Sequence, residues 1–176
     1  MKNYAKLIKL TLIVVTSTVM FSCSDDDAPQ NNSIAGIASR TENLSILVDA
    51  LERTDLVETL DGSGSFTVFA PTNAAFTTFL ADNGFANLDA VPTAALKEIL
   101  LNHVVSGAKL SSTLTTGYIK TLAKGSASST NTLSMYVNTT SGVRLNGVSS
   151  VTTADVLASN GVVHIVDKVI GLPTVV

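Results

Sequence analysis

Few residues in this chain are equipped for chemistry, so their spacing is tested first. Two of the 176 residues are histidine, His103 and His164, and one is cysteine, Cys23. A Ser-His-Asp relay would pair His164 with Asp167. On a strand, residues three apart face opposite sides, so these two cannot form a local dyad. The histidines are 61 positions apart with no cysteine beyond Cys23, which is no zinc pattern. Gly62-Ser63-Gly64 precedes a strand instead of following one and lacks a lysine, so it is no phosphate loop. A G-x-S-x-G nucleophile elbow is absent. Asp25-Asp26-Asp27 puts three carboxylates in a row, whereas a calcium loop needs spaced ligands around a glycine turn. The sequence thus predicts no enzyme, no cofactor and no metal site. Each imidazole is read as the partner of a buried backbone or hydroxyl group.

Cys23 has another chemistry. A lone cysteine makes no internal disulfide. It follows a basic segment with Lys2, Lys6 and Lys9 and an apolar run from Leu10 to Phe21, the layout of a signal peptide over residues 1–22. That run is broken by Thr16, Ser17 and Thr18 and falls short of the roughly 20 apolar residues of a spanning helix. Met20-Phe21-Ser22-Cys23 resembles a bacterial lipobox, with Met20 and Phe21 bulkier than is usual. The resemblance implies that Cys23 becomes the acylated first residue of the mature protein, and each buried methylene adds about 0.8 kcal/mol of anchoring. Ser24-Asp25-Asp26-Asp27 resembles the acidic export signal of surface lipoproteins in some Gram-negative bacteria. Residues 23–33 are expected to be a lipidated flexible tether. The expected location is the outer membrane, exposed at the surface or otherwise on its periplasmic face.

Composition narrows the function classes. Apolar residues make up 45% and charged residues 14%, which suits one domain with a real core. Removing Lys2, Lys6 and Lys9 leaves 8 of the 11 basic side chains against 14 acidic ones, a net of −6. A nucleic-acid footprint needs the opposite sign. With no Trp and 3 Tyr, the composition weighs mildly against an aromatic platform for sugars or single-stranded nucleic acid.

The elements that must position these residues are legible in part. Ile34, Ile37 and Ala38 predict a short helix. Asn43 is placed to cap a second, with Leu44, Leu47, Val48 and Leu51 on one face. Another turn or two follows from Asp55 to Leu60. Phe66 to Ala70 alternates as a strand, Pro71 stops it, and Thr72 or Asn73 caps a helix carrying Phe76, Phe79 and Leu80. That helix stops at Asp82-Asn83-Gly84. Pro92 or Thr93 opens a further helix with Leu96, Ile99, Leu100 and Val104. After about Ser106 the chain turns to short β-type runs around Leu110, Tyr118-Ile119, Leu122, Leu133–Val137, Val143–Leu145 and Val148–Val151. Asn146-Gly147 signals a hairpin. The last strand, Gly161–Ile170, is apolar on both faces, as a central strand is. Helices first and strands afterwards predict an α+β domain with an antiparallel sheet system.

Two stretches carry a family resemblance. Thr67-Val68-Phe69-Ala70-Pro71-Thr72-Asn73-Ala74-Ala75-Phe76 resembles the first signature of the fasciclin (FAS1) domain. Asn160-Gly161-Val162-Val163-His164-Ile165-Val166-Asp167-Lys168-Val169-Ile170 resembles the second. Asn102-His103 stands where the family usually has Tyr-His. The resemblance covers residues 34–173, leaving 174–176 as a tail. It implies a wedge-shaped antiparallel β-sandwich with N-terminal helices packed against it, and a role in adhesion or extracellular binding. In animal members an Asp-Ile pair before the second signature is implicated in adhesion, and Asp155-Val156 matches it here. The resemblance therefore makes Asp155, Val156, Asn102 and His103 candidate binding residues. The plainer reading is that Asp155 serves a turn and Val156 packs in the core.

The expected function is a surface-tethered, non-catalytic adhesion or binding module for cell–matrix or cell–cell contacts. Its partner would be an extracellular glycan, a protein or another copy of the chain. The alternative is a carrier that binds an apolar lipid or pigment in a groove lined by Phe79, Phe85 and Tyr118.

Overall fold

A computed structural model describes residues 31–125 and 130–173. The predicted signal peptide, Cys23, the acidic run and the tail 174–176 lie outside the described residues. The α+β order is as expected. The helices are α1 (Ile34–Arg40), α2 (Ser45–Arg53), α3 (Val57–Asp61), α4 (Asn73–Asp82) and α5 (Thr93–Asn102). Strand β1 (Phe66–Pro71) falls between α3 and α4. The rest follow α5: β2 (Val104–Ser106), β3 (Gly117–Lys120), β4 (Ser134–Asn138), β5 (Arg144–Leu145), β6 (Ser149–Ala158) and β7 (Gly161–Val166).

The strands form one sheet in the order β2-β1-β7-β6-β5-β4-β3. The expected antiparallel system is here a mixed sheet. β1 and β7 run parallel, from Phe66↔Gly161 to Pro71↔Val166, while the other pairings are antiparallel. A parallel pair needs a long crossover, and everything from α4 to β6 supplies it. β1 and β7 are the two signature stretches, so their side-by-side placement explains why both are apolar on both faces.

Alternation along β1 and β7 divides the interior into two cores. Val68, Ala70 and Val163 face the helical layer with Leu47, Leu51, Phe76, Leu96 and Leu100. Phe69, Val166 and Ile170 face the other way, onto Met135, Val137 and Leu145 of β4 and β5. The sheet therefore folds over its second core. Leu122 N–H donates to Val104 O at 2.9 Å just beyond β3, which brings the two ends of the sheet together.

Several local expectations hold and several shift. Thr72 caps α4, accepting from Ala75 N–H at 3.2 Å. Asn43 does not cap α2. Its expected role falls to Asn73, whose Oδ1 accepts from Ile46 N–H at 2.9 Å and whose Nδ2 donates to Ser45 Oγ at 2.9 Å. Asn146 and Gly147 both have positive φ, 50° and 71°, and close the β5–β6 turn as a type I′ pair does. Leu110 lies in no strand and leads into a 3-10 turn at Ser111–Thr113. β7 ends at Val166, four residues earlier than Ile170. There Asp167 turns its carboxylate to Ser150 N–H at 2.7 Å. Residues expected in the tether also join the fold: Ser33 caps α1, and Asn32 O accepts from Ser159 N–H at 2.8 Å. Among the described residues no helix is long and apolar enough to cross a membrane.

Candidate functional site

One polar residue from each signature, Thr67 and His164, meets on one loop, residues 107–111, which follows β2. Thr67 is fully buried in β1. Its hydroxyl donates to Gly107 O at 2.6 Å and accepts from Lys109 N–H at 2.8 Å. His164, also fully buried, stacks on Phe69 from the neighbouring strand, with ring centroids 5.4 Å apart. Its Nδ1 accepts the backbone N–H of Asp155 at 3.1 Å, so the ring proton sits on Nε2 and is donated to Lys109 O at 2.9 Å. One residue of the loop is thus gripped from β1 and β7 at once.

Asp155 completes the clamp from β6. It lies within that strand, not in a loop as the sequence suggested. The β6–β7 register slips between Thr153 and Val156, and Asp155 takes a φ of 61° inside the slip. A bulge leaves a backbone N–H without a ladder partner, and here that N–H is the one His164 accepts. Asp tolerates the left-handed region better than most residues. The carboxylate then takes two bonds from Ser111, from its N–H at 2.7 Å and its hydroxyl at 2.5 Å. These two bonds, the hydroxyl first, hold the Asp155 carboxyl below its ordinary range. The 4.0 Å approach of His164 Nδ1 to Asp155 Oδ1 is a proximity and no ion pair, because that nitrogen is already an acceptor.

Ser111, Asp155 and His164 lie together, but in the wrong order for a relay. The serine hydroxyl is given to the carboxylate, and the imidazole is turned away to a backbone carbonyl. Among the described residues no cluster of three or more His, Cys, Asp or Glu can hold a metal.

The other candidates are structural in their surroundings. Val156 is half-buried against the helical core. Asn102 and His103 are each 2% exposed, at the α5–β2 junction. The His103 Nδ1–H donates to Ile99 O at 2.7 Å, and Nε2 accepts Ile170 N–H at 2.9 Å. Burial lowers its pKa to about 4, so the ring is neutral. Asn102 accepts from Thr121 Oγ1 at 3.3 Å and donates to Ile170 O at 3.4 Å. Together they fasten the segment after β7 to the end of α5. As folded, neither offers a free polar atom to a partner. The sequence reading of both imidazoles as partners of buried backbone groups describes them well.

The three aromatics proposed for a carrier groove do not share one cleft. Phe85 packs against the helical core. Tyr118 and Phe79 line two adjoining open depressions. The sequence reading missed the loop 107–111 and its contact with Asp155. Ser111 and Asp155 are 44 positions apart, and no local pattern joins them.

Comparison with known proteins assigns this arrangement to a class. The Fasciclin domain model matches residues 42–173, and the chain belongs to that family. Fasciclin domains are known in adhesion proteins and are generally non-enzymatic. Protein sll1483 of Synechocystis sp. is 38% identical over 154 residues, covering 88% of this chain and 79% of that protein. Human Stabilin-1 is 30% identical over 166 residues, but these are only 6% of its length. The fold is shared with a FAS1 domain pair from the insect cell adhesion molecule Fasciclin I, with a TM-score of 0.62 at 16% identity over 78% of this chain and 50% of that one.

Proposed function

We propose that the chain is a lipid-anchored, non-catalytic adhesion module, held at the cell surface through Cys23 and making contacts with matrix or neighbouring cells. The observation that carries this reading is family membership over residues 42–173. A solved relative in fold is described as part of a cell adhesion molecule. The site supports the same reading. Among the described residues both histidines bond the backbone and Ser111 gives its hydroxyl to Asp155, so these groups assemble no nucleophile–base pair. What the clamp does present is a surface: Leu110 and Leu157 are 38% and 69% exposed and line one shallow groove beside Asp155. Exposed apolar side chains grouped in one groove suit a contact face.

A short tether and one domain suit weak contacts that gain strength by multivalency at a surface. The test coats beads with the mature chain and counts their attachment to producing cells and to extracted matrix. Attachment above that of uncoated beads, reduced by Leu157→Asp, is expected. Attachment equal to that of uncoated beads overturns the reading.

A further inference from the structure

Two tyrosines take no part in the clamp or in either core. Tyr118 on β3 and Tyr136 on β4 stand directly opposite in the ladder. Their rings are 5.2 Å apart and tilted by 55°. Tyr118 is 77% exposed, although burial of such a ring is among the larger gains available to a fold. Neither phenol hydroxyl has a hydrogen-bond partner among the described residues. The pair lines an open groove of about 650 Å³ with Ser134, Asn146, Leu172 and Pro173. Asn146 Oδ1 is used by Tyr136 N–H at 2.7 Å, which leaves its NH2 group to donate. Among the described residues no charged side chain lines this groove. At Val148 and Gly171 it runs on into a second depression of about 360 Å³, walled in part by Phe79, Asp82 and Lys168.

We propose that this groove binds a neutral glycan chain, with pyranose rings stacked on Tyr118 and Tyr136. The faces of aromatic rings are electron-rich and attract the C–H face of a sugar. The phenol and serine hydroxyls and the Asn146 amide match a ligand whose free hydroxyls both donate and accept. The tyrosine groove has no charged wall among the described residues, and the depression beyond Val148 carries one charge of each sign, Lys168 and Asp82, so the lining has no net charge to select an anionic ligand. An open groove leaves an apolar ligand half wet, whereas a sugar keeps its outer hydroxyls hydrated at little cost. The continuation past Val148 suits an extended chain of several residues. This inference rests on the reading of the chain as a binding module but uses a different surface from Leu110 and Leu157.

The full chain contains no tryptophan, and its remaining tyrosine is Tyr4. Tyrosine emission therefore reports largely on this groove. The probes are cellohexaose, laminarihexaose and chitohexaose, titrated separately, with a proline decamer as the peptide comparison. A saturable change with at least one hexasaccharide at a Kd of about 1 mM or tighter is expected, weakened about tenfold in Tyr118→Ala and unchanged in Leu157→Ala. Tyr118 is exposed, so Tyr118→Ala should keep the wild-type Tm, which checks folding. No saturation by any sugar, equal binding by Tyr118→Ala, or saturation by the proline peptide alone overturns the proposal. Coated beads that still attach when the sugars fail to bind would remove this groove's role and leave the adhesion reading standing.

Discussion

Asp155 and Ser111, 44 positions apart, are joined by two hydrogen bonds that use both atoms of one carboxylate. The residue that the family resemblance makes a candidate for adhesion is here tied to its own fold. That tie fixes the loop 107–111 against β6 while Thr67 and His164 fix it against β1 and β7. Asp155 shapes the surface that carries Leu110 and Leu157, and its own oxygens are largely committed.

Cutting this tie should free the loop without unfolding the domain. In Asp155→Ala, amide exchange at Ser111 should quicken about tenfold or more, while exchange in β1 and β7 stays slow. Native-state hydrogen exchange measures both. The tie should also respond to acid. The carboxyl is held below its ordinary range by the two Ser111 bonds, so its contribution is full above the ordinary carboxylate pKa and is lost as pH falls through the lowered one.

Gly161 of β7 pairs with Phe66 of β1 and leaves no room for a side chain. Its φ is 154°, and a Cβ there would lie 2.0 Å from Phe66 O. That neighbour is backbone and cannot step aside. Gly161→Ala should destabilise by about 3 kcal/mol or more, read as a lower midpoint in urea.

His103 gives stability a pH dependence of its own. The folded ring is neutral with a pKa of about 4, because burial opposes its charge and Ile170 N–H already occupies Nε2. The unfolded ring titrates near 6.5. The unfolded state therefore binds more protons between those values, and stability falls as pH drops from about 7 to 4, by up to about 3 kcal/mol. His103→Gln should be less stable at neutral pH but flatter across this window. Urea midpoints at several pH values decide it.

Much of the fold was legible because its signals are local. Pro71 and Thr72 stop a strand and cap a helix within two residues, and Asn146-Gly147 closes its turn without distant help. The two-sided apolar pattern of residues 161–170 placed β7 inside the sheet, although the strand itself stops at Val166. What could not be read depends on meetings across the chain. Asn73 caps the start of α2 from 27 positions away, displacing Asn43. The bulge at Asp155 depends on register with β7 and leaves no mark in the sequence. Low aromatic content weighed against a sugar platform, yet two of the three tyrosines meet across β3 and β4.

The anchor makes a separate prediction. Mass spectrometry of the mature chain should show an acylated Cys23 as the first residue, and Cys23→Ala should shift the protein from the membrane to the soluble fraction. An intact Met1 or a free thiol at Cys23 would remove the anchor from the account.

The adhesion of producing cells tests the central claim most directly. A strain lacking the gene is complemented with the wild-type chain or with Cys23→Ala, and cells are detached under graded flow. The account predicts weak adhesion without the gene, recovery with the wild-type chain and no recovery with Cys23→Ala. Equal detachment of the parent and the deletion strain would contradict it.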